Sequence, residues 1–145
     1  MNLEASLSKL KGTTTEALPS DAYPEPGAAS VRLRFSDGTL LRVDYWRLLL
    51  NDKAGISSFD HGHKYGLLRP IDAIKHLQDQ LRNKRVVDAG LEPRTGDLFF
   101  RLDEGVELQG FNLTGYEVWE IQFTDGTGEY SNYARPSAEI DWNSL

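Results

Sequence analysis

Cysteine is missing from the 145-residue sequence, and so are long apolar runs. Without cysteine the chain can form no disulfide, no cysteine zinc site and no thiol nucleophile. No run approaches the ~18 consecutive apolar residues that span a bilayer. Residues 1–6 have neither the basic flank nor the apolar core of a signal peptide. We therefore expect a soluble, cytoplasmic protein that is stabilised by packing alone.

Basic residues are in the minority, with 16 Lys and Arg against 22 Asp and Glu and a formal net charge of −6. A field of this sign opposes nucleic acid and anionic membranes and favours basic partners. The sequence also has no glycine-rich nucleotide-binding loop, no nucleophile elbow and no His-Glu-x-x-His motif. We expect a non-enzymatic binding protein that needs no cofactor and binds neither nucleic acid nor membrane.

An internal repeat is the clearest pattern in the sequence. Arg-Phe-Ser-Asp-Gly-Thr at 34–39 is echoed by Arg-Leu-Asp-Glu-Gly-Val at 101–106, Trp46-Arg-Leu by Trp119-Glu-Ile, and Ser-Lys-Leu-Lys at 8–11 by Asp-Gln-Leu-Arg at 79–82. The offsets of 67, 73 and 71 residues differ only by changes in loop length, as expected for two diverged copies of one unit. We predict a single domain over 1–145, with the repeat at roughly 3–50 and 74–124 and a connecting loop at 51–69.

Each half begins with a predicted helix. The first covers about 2–11 with Asn2 as its N-cap, and the second begins at Pro70, a residue that suits the first helical position. The apolar stripes are Leu3, Leu7 and Leu10 in the first helix and Ile71, Ile74, Leu77 and Leu81 in the second. Both helices are expected to pack on a sheet.

Alternating apolar residues predict antiparallel strands in both halves. The predicted strands are 31–36, 39–45 and 46–50 in the first half, and 85–90, 97–102, 106–112, 116–124 and an edge strand at 128–134 in the second. Asp37-Gly38 predicts a two-residue hairpin turn, and the proline-rich stretch 17–30 predicts a long surface loop. The fold class is α+β: two similar helix-plus-antiparallel-strand halves forming a mainly antiparallel sheet packed by one or two helices.

Two histidines in the connecting loop suggest a metal site. Asp60, His61 and His63 lie within four residues, and an extended backbone would point both imidazoles the same way. A small metal-dependent or hydrolytic enzyme centred on this loop is therefore an alternative function. The other interpretation is an exposed or hydrogen-bonded loop with no metal.

An acidic, tyrosine-rich surface is predicted in the second half. Its members are Glu104, Glu107, Tyr116, Glu117, Glu120, Asp125, Glu129, Tyr130 and Tyr133. Tyrosines beside carboxylates suit recognition of a basic protein, with the rings as anchors and the charges steering the encounter. The alternative is an edge hairpin whose charges prevent strand-to-strand association. A basic face of Arg32, Arg34 and Arg42 would suit single-stranded nucleic acid, but the net negative charge opposes it.

Residues 85–134 resemble part of a family of small bacterial proteins. The resemblance rests on Gly96-Asp97-Leu98, Leu108 and the stretch Gly115-Tyr-Glu-Val-Trp-Glu-Ile121. Some of these proteins are encoded beside toxins, as immunity proteins of polymorphic toxin or contact-dependent growth inhibition systems. The resemblance implies a small, acidic, non-enzymatic protein that binds one cognate toxin, often a basic nuclease. We expect an immunity protein that is a monomer or homodimer and that uses the acidic surface.

Overall fold

The computed structural model describes residues 2–20, 29–134 and 143. In these ranges the chain forms two α-helices and ten strands, and the predicted α+β class is confirmed. The elements of the first half are α1 (Leu3–Ser8), β1 (Thr15–Pro19), β2 (Val31–Phe35), β3 (Leu40–Val43), β4 (Trp46–Leu50) and β5 (Lys53–Ser57). Those of the second half are α2 (Ala73–Leu81), β6 (Val86–Glu92), β7 (Asp97–Leu102), β8 (Val106–Gly110), β9 (Trp119–Gln122) and β10 (Gly128–Tyr130).

The strands form two antiparallel five-stranded sheets, and each sheet combines both halves of the chain. The first sheet has the order β1-β2-β3-β9-β10, and the second has the order β5-β4-β8-β7-β6. The pairs β3–β9 and β4–β8 join the halves. Each half therefore contributes three strands to one sheet and its last two strands to the other.

The two repeated tryptophans occupy corresponding places. Both are fully buried at the start of a strand. Each indole N–H donates to a backbone carbonyl that lies one or two residues before a strand of the same half. Trp46 Nε1 donates to Ala29 O at 2.7 Å, and Trp119 Nε1 donates to Gly96 O at 2.8 Å. The similarity of the halves thus extends to individual hydrogen bonds.

The core lies on the inner faces of the sheets, where the predicted alternation is seen. Val31, Leu33 and Phe35 are buried while the residues between them are exposed. The rings of Phe35 and Phe100 meet at 5.5 Å between centroids, which joins the hairpins of the two halves. Leu3, Leu7 and Leu10 from the first helical segment, and Ala73, Leu77 and Leu81 from α2, belong to the same apolar cluster.

The second helix starts later than Pro70. Asp72 is its N-cap, accepting from Lys75 N at 3.0 Å, and the helix begins at Ala73. Ile71 lies before the helix and pairs with the loop backbone. Its N–H donates to His63 O and its carbonyl accepts from Gly62 N, each at 2.8 Å. Asn2 caps the first helix as predicted, accepting from Ala5 N at 3.1 Å.

The predicted loop 17–30 is wrong in its first residues. Residues 17–19 belong to β1, and Ala17 is only 2% exposed. This strand is at the edge of its sheet, where Pro19 is tolerated because no ladder hydrogen bond is required of it. Helix α2 covers that edge, with Gln78 Nε2 donating to Ala17 O at 3.0 Å. Residues 21–28 lie outside the described residues, as does the predicted tail docking of Ile140 and Trp142.

Two further turns differ from the prediction. Phe35 N donates to Thr39 O, so the β2–β3 hairpin loop enclosed by this pair has three residues, 36–38, rather than two. Within it, Gly38 takes a φ of 97°. The stretch 51–69 is not wholly irregular, because it contains β5. Asn51 and Asp52, with φ values of 52° and 63°, form the two-residue turn that pairs β5 with β4.

Candidate protein-binding surface

The residues of the predicted acidic surface lie at several separate places in the structure. Glu104 and Glu107 lie beside or on β8 of the second sheet, away from β9 and β10. Glu104 lies 4.0 Å from Lys84 Nζ, and Glu107 accepts from Arg101 Nε at 3.0 Å. These two carboxylates are therefore not gathered with the tyrosines.

Asp125 has a local role at the tip of the β9–β10 hairpin. Its carboxylate accepts from Thr127 Oγ1 at 2.6 Å and from Thr127 N at 2.9 Å. The hydroxyl hydrogen bond, followed by that of the backbone N–H, lowers the pKa of Asp125. This residue shapes the turn, and no described contact joins it to the tyrosines.

Glu129 and Tyr133 are associated with the core side of the hairpin. Glu129 is paired with buried Ile121, so the two side chains share a face of the sheet. The Tyr133 ring meets the Trp119 ring edge-on at 6.0 Å. Burial raises the pKa of Tyr133, and the charges of Glu129 and Glu4 raise it further.

Four of the predicted residues do come together, and we call them the tyrosine–glutamate cluster: Tyr116, Glu117, Glu120 and Tyr130. Glu120 and Tyr130 are cross-strand partners on the outer face of the first sheet. Ser131 links the other two to them, because its hydroxyl accepts from Val118 N at 2.8 Å and donates to Tyr116 O at 3.4 Å. Tyr116 is the most exposed aromatic of the cluster, at 82%.

A nearly buried ion pair fixes the loop that carries Tyr116. Arg42 donates through Nη1 to Asp44 Oδ1 at 2.6 Å and through Nη2 to Glu117 O at 2.7 Å. Ser30 Oγ also donates to Asp44 Oδ1, at 2.7 Å. The sequence analysis missed this network and assigned Arg42 to a basic face. The available signal was the i, i+2 spacing of Arg42 and Asp44, which puts both side chains on one side of an extended segment.

The part of the connecting loop that contains His61 and His63, which we call the histidine loop, is held together by the residues predicted as metal ligands. Asp60 accepts from Ser57 N at 2.8 Å and from Tyr65 OH at 2.9 Å, and this last hydrogen bond raises the pKa of Tyr65. His61 Nδ1 accepts from Ala73 N at 3.1 Å, and the His63 ring stacks on the Tyr65 ring at 5.2 Å. In the described part of the chain, no group of three or more His, Cys, Asp or Glu side chains has the arrangement of a metal site.

The same loop presents an exposed apolar tip. Tyr65 and Gly66, with φ values of 46° and 81°, turn the chain, and the next two residues are leucines. Leu68 is 97% exposed and Leu67 is 58% exposed. The tip of this loop therefore presents two exposed leucines.

Comparison with known proteins gives no relative from which a function could be transferred. No family model matches the chain, and neither a curated protein nor a solved structure does. In residues 2–20, 29–134 and 143, no helix is long and apolar enough to cross a membrane.

Proposed function

We propose that this chain is a non-enzymatic immunity protein that neutralises a cognate toxin by binding it through the tyrosine–glutamate cluster. The observation that carries the proposal is Tyr116, an exposed aromatic residue on a backbone fixed from two sides. The carbonyls of Tyr116 and Glu117 accept from Ser131 and Arg42. Large aromatic residues in rigid settings are the usual anchors of protein interfaces.

Rigidity matters because ordering a flexible side chain on binding costs about 0.5–1.5 kcal/mol. A fixed backbone reduces the conformational freedom that the Tyr116 loop has to lose. The neighbouring Glu117 and Glu120 are exposed or half-buried, and no hydrogen bond or ion pair within the described residues occupies their carboxylates. They would steer a basic partner toward the ring, so a basic nuclease toxin fits the surface best.

Two further properties belong to the same proposal. The protein would act in the cytoplasm, where a nuclease toxin finds its target. The block would be steric and electrostatic, since the proposed mechanism needs no reaction and no cofactor.

Co-expression with the product of the neighbouring gene tests the proposal. We expect the two proteins to purify as a stable complex and the toxic activity to be abolished. Failure to associate with any genomic neighbour would count heavily against an immunity function.

The loop variant His61→Ala/His63→Ala separates this proposal from the enzymatic alternative. It should protect as well as the wild-type protein, because neither imidazole belongs to the cluster. Loss of protection in a variant with unchanged circular dichroism would move the site to the histidine loop.

A further inference from the structure

The outer face of the first sheet contains a groove of about 490 Å³ beside the tyrosine–glutamate cluster. Its lining includes Leu18, Arg32, Arg34, Leu40, Glu120 and Gln122. Leu40 lies on β3, the central strand of the sheet, and is 49% exposed. The internal repeat provides a direct comparison for this face.

In the second sheet, the arginine at the equivalent position is paired with carboxylates. Arg101 corresponds to Arg34 at the offset of 67 residues and lies opposite Glu107 on the neighbouring strand. It donates to Glu107 at 3.0 Å and to Asp88 at 3.5 Å, and its guanidinium stacks 4.8 Å over the Phe99 ring. The guanidinium of Arg101 therefore has two carboxylate partners, although its side chain is 55% exposed.

The first sheet differs from the second at two of the equivalent positions on this face. Leu40 stands where the second sheet has Glu107, so Arg34 is opposite an apolar side chain. Arg34 keeps an ion pair with Glu16 at 3.6 Å, and both side chains are more than half exposed. The second difference is Arg32, which stands where the second sheet has Phe99.

Arg32 adds a charge that the described residues do not neutralise. It is exposed, and within the described part of the chain it makes no hydrogen bond or ion pair. Its cross-strand partners are Leu18 and another arginine, Arg42, whose guanidinium is bound to Asp44. Like charges directly opposite each other on a sheet destabilise it, so the fold does not explain Arg32.

We infer that this groove binds an acidic, extended segment of a partner protein. Carboxylates of the segment would pair with Arg32 and Arg34, whose planar guanidinium groups suit two-point binding of a carboxylate. An apolar side chain of the segment would cover Leu40. The inference goes beyond the proposed function, because Arg32, Arg34 and Leu40 carry it, none of which belongs to the tyrosine–glutamate cluster, and because it does not require a toxin.

Nucleic acid fits the groove less well than an acidic peptide. Proteins that bind single strands combine cations with aromatic platforms for the bases, and none of the residues lining the groove is aromatic.

Fluorescence anisotropy with short labelled peptides tests the inference. The probes are an alternating Glu-Leu octapeptide, its Gln-Leu analogue and a twelve-residue oligothymidine. We expect the Glu-Leu peptide to bind at least tenfold more tightly than either of the others. Equal binding of the Gln-Leu analogue, absence of binding by the Glu-Leu peptide, or tighter binding of the oligothymidine would each overturn the inference.

The repeat supplies a matched control. Arg32→Ala/Arg34→Ala should weaken Glu-Leu peptide binding at least tenfold, whereas Arg101→Ala should leave it within twofold of wild type. The double variant should unfold at close to the wild-type urea concentration, since it removes the like-charge pair of Arg32 with Arg42 and only one exposed ion pair, that of Arg34 with Glu16. Equal loss of binding in the Arg101→Ala variant would show a nonspecific charge effect and contradict the assignment.

Discussion

At the scale of single residues, the ion pair of Arg42 with Asp44 fixes the loop that carries Tyr116, and the sequence did not predict this pair. The side chains of Arg42 and Asp44 are 21% and 10% exposed. Composition identified the acidic and tyrosine-rich stretch, but it did not distinguish Tyr116 from Asp125. That distinction depends on tertiary hydrogen bonds from Arg42 and Ser131, which join residues distant in sequence.

Arg42→Ala should destabilise the fold strongly. It leaves the Asp44 carboxylate nearly buried with Ser30 as its remaining side-chain partner among the described residues, and it removes the hydrogen bond to the Glu117 carbonyl. We expect the free energy of unfolding to fall by about 3 kcal/mol, the lower end for breaking a buried pair. Urea unfolding measures this, and the exposed pair of Arg94 with Glu92 supplies the control. A loss no larger than that of Arg94→Ala would show that the network does not hold the loop.

Tyr133 should make the stability depend on alkaline pH. Its pKa in the folded state is raised above the ordinary 10.0, first by burial and then by Glu129 and Glu4. A raised pKa contributes stability that is fully present below the unfolded value and is lost as the pH rises through the folded value. Urea midpoints between pH 9 and 11 should fall less steeply for Tyr133→Phe than for the wild type. Parallel curves would contradict this role.

At the scale of elements, strands with one strongly apolar face were predictable, as were the edge strands β6 and β10, although β10 is shorter than predicted. The edge strands β1 and β5 were missed. The alternation of β2 and β9 is visible in the sequence because every second side chain is buried. Strand β5 has the burial pattern of an edge, with its first three residues exposed, so its sequence does not alternate. The Asn51-Asp52 pair was the missed signal, since both residue types tolerate the positive φ values of a two-residue turn.

Strand β1 was missed for a different reason. Its five residues, Thr-Glu-Ala-Leu-Pro, end in a proline and do not alternate between apolar and polar. The strand is held by β2 on one side and α2 on the other. Gln78→Ala removes the hydrogen bond to Ala17 O and should lower the free energy of unfolding by about 1 kcal/mol. Hydrogen exchange of the β1 amides should accelerate in this variant. The control is Gln80→Ala on the same helix, and an equal effect there would exclude an edge-specific role.

At the scale of the whole molecule, the repeat is visible in the sequence but its exchange of strands is not. The halves cross where Asp44 N donates to Val118 O at 2.9 Å and Phe111 N donates to Tyr45 O at 2.8 Å. Periodicity reports which face of a strand is buried, and it carries no information on which strand lies alongside. The predicted antiparallel strands therefore form two sheets, and each sheet is completed by strands of the other half.

This exchange predicts that neither half folds alone. A chain divided in the exposed loop, into fragments 1–66 and 67–145, should give two fragments that lack cooperative unfolding. Mixing them should restore the native circular dichroism, because β3–β9 and β4–β8 pairing then becomes available. Cooperative unfolding of either fragment by itself would show that the halves are independent units.

The affinity of the Tyr116→Ala variant for the proposed cognate toxin is the most direct test of the proposed function. Calorimetry should give a loss of about 2 kcal/mol or more, roughly thirtyfold in Kd, as for other aromatic anchors. Tyr65→Ala, which removes an exposed tyrosine from the histidine loop, should bind as the wild type does. Unchanged affinity of Tyr116→Ala together with lost affinity of Tyr65→Ala would contradict the account.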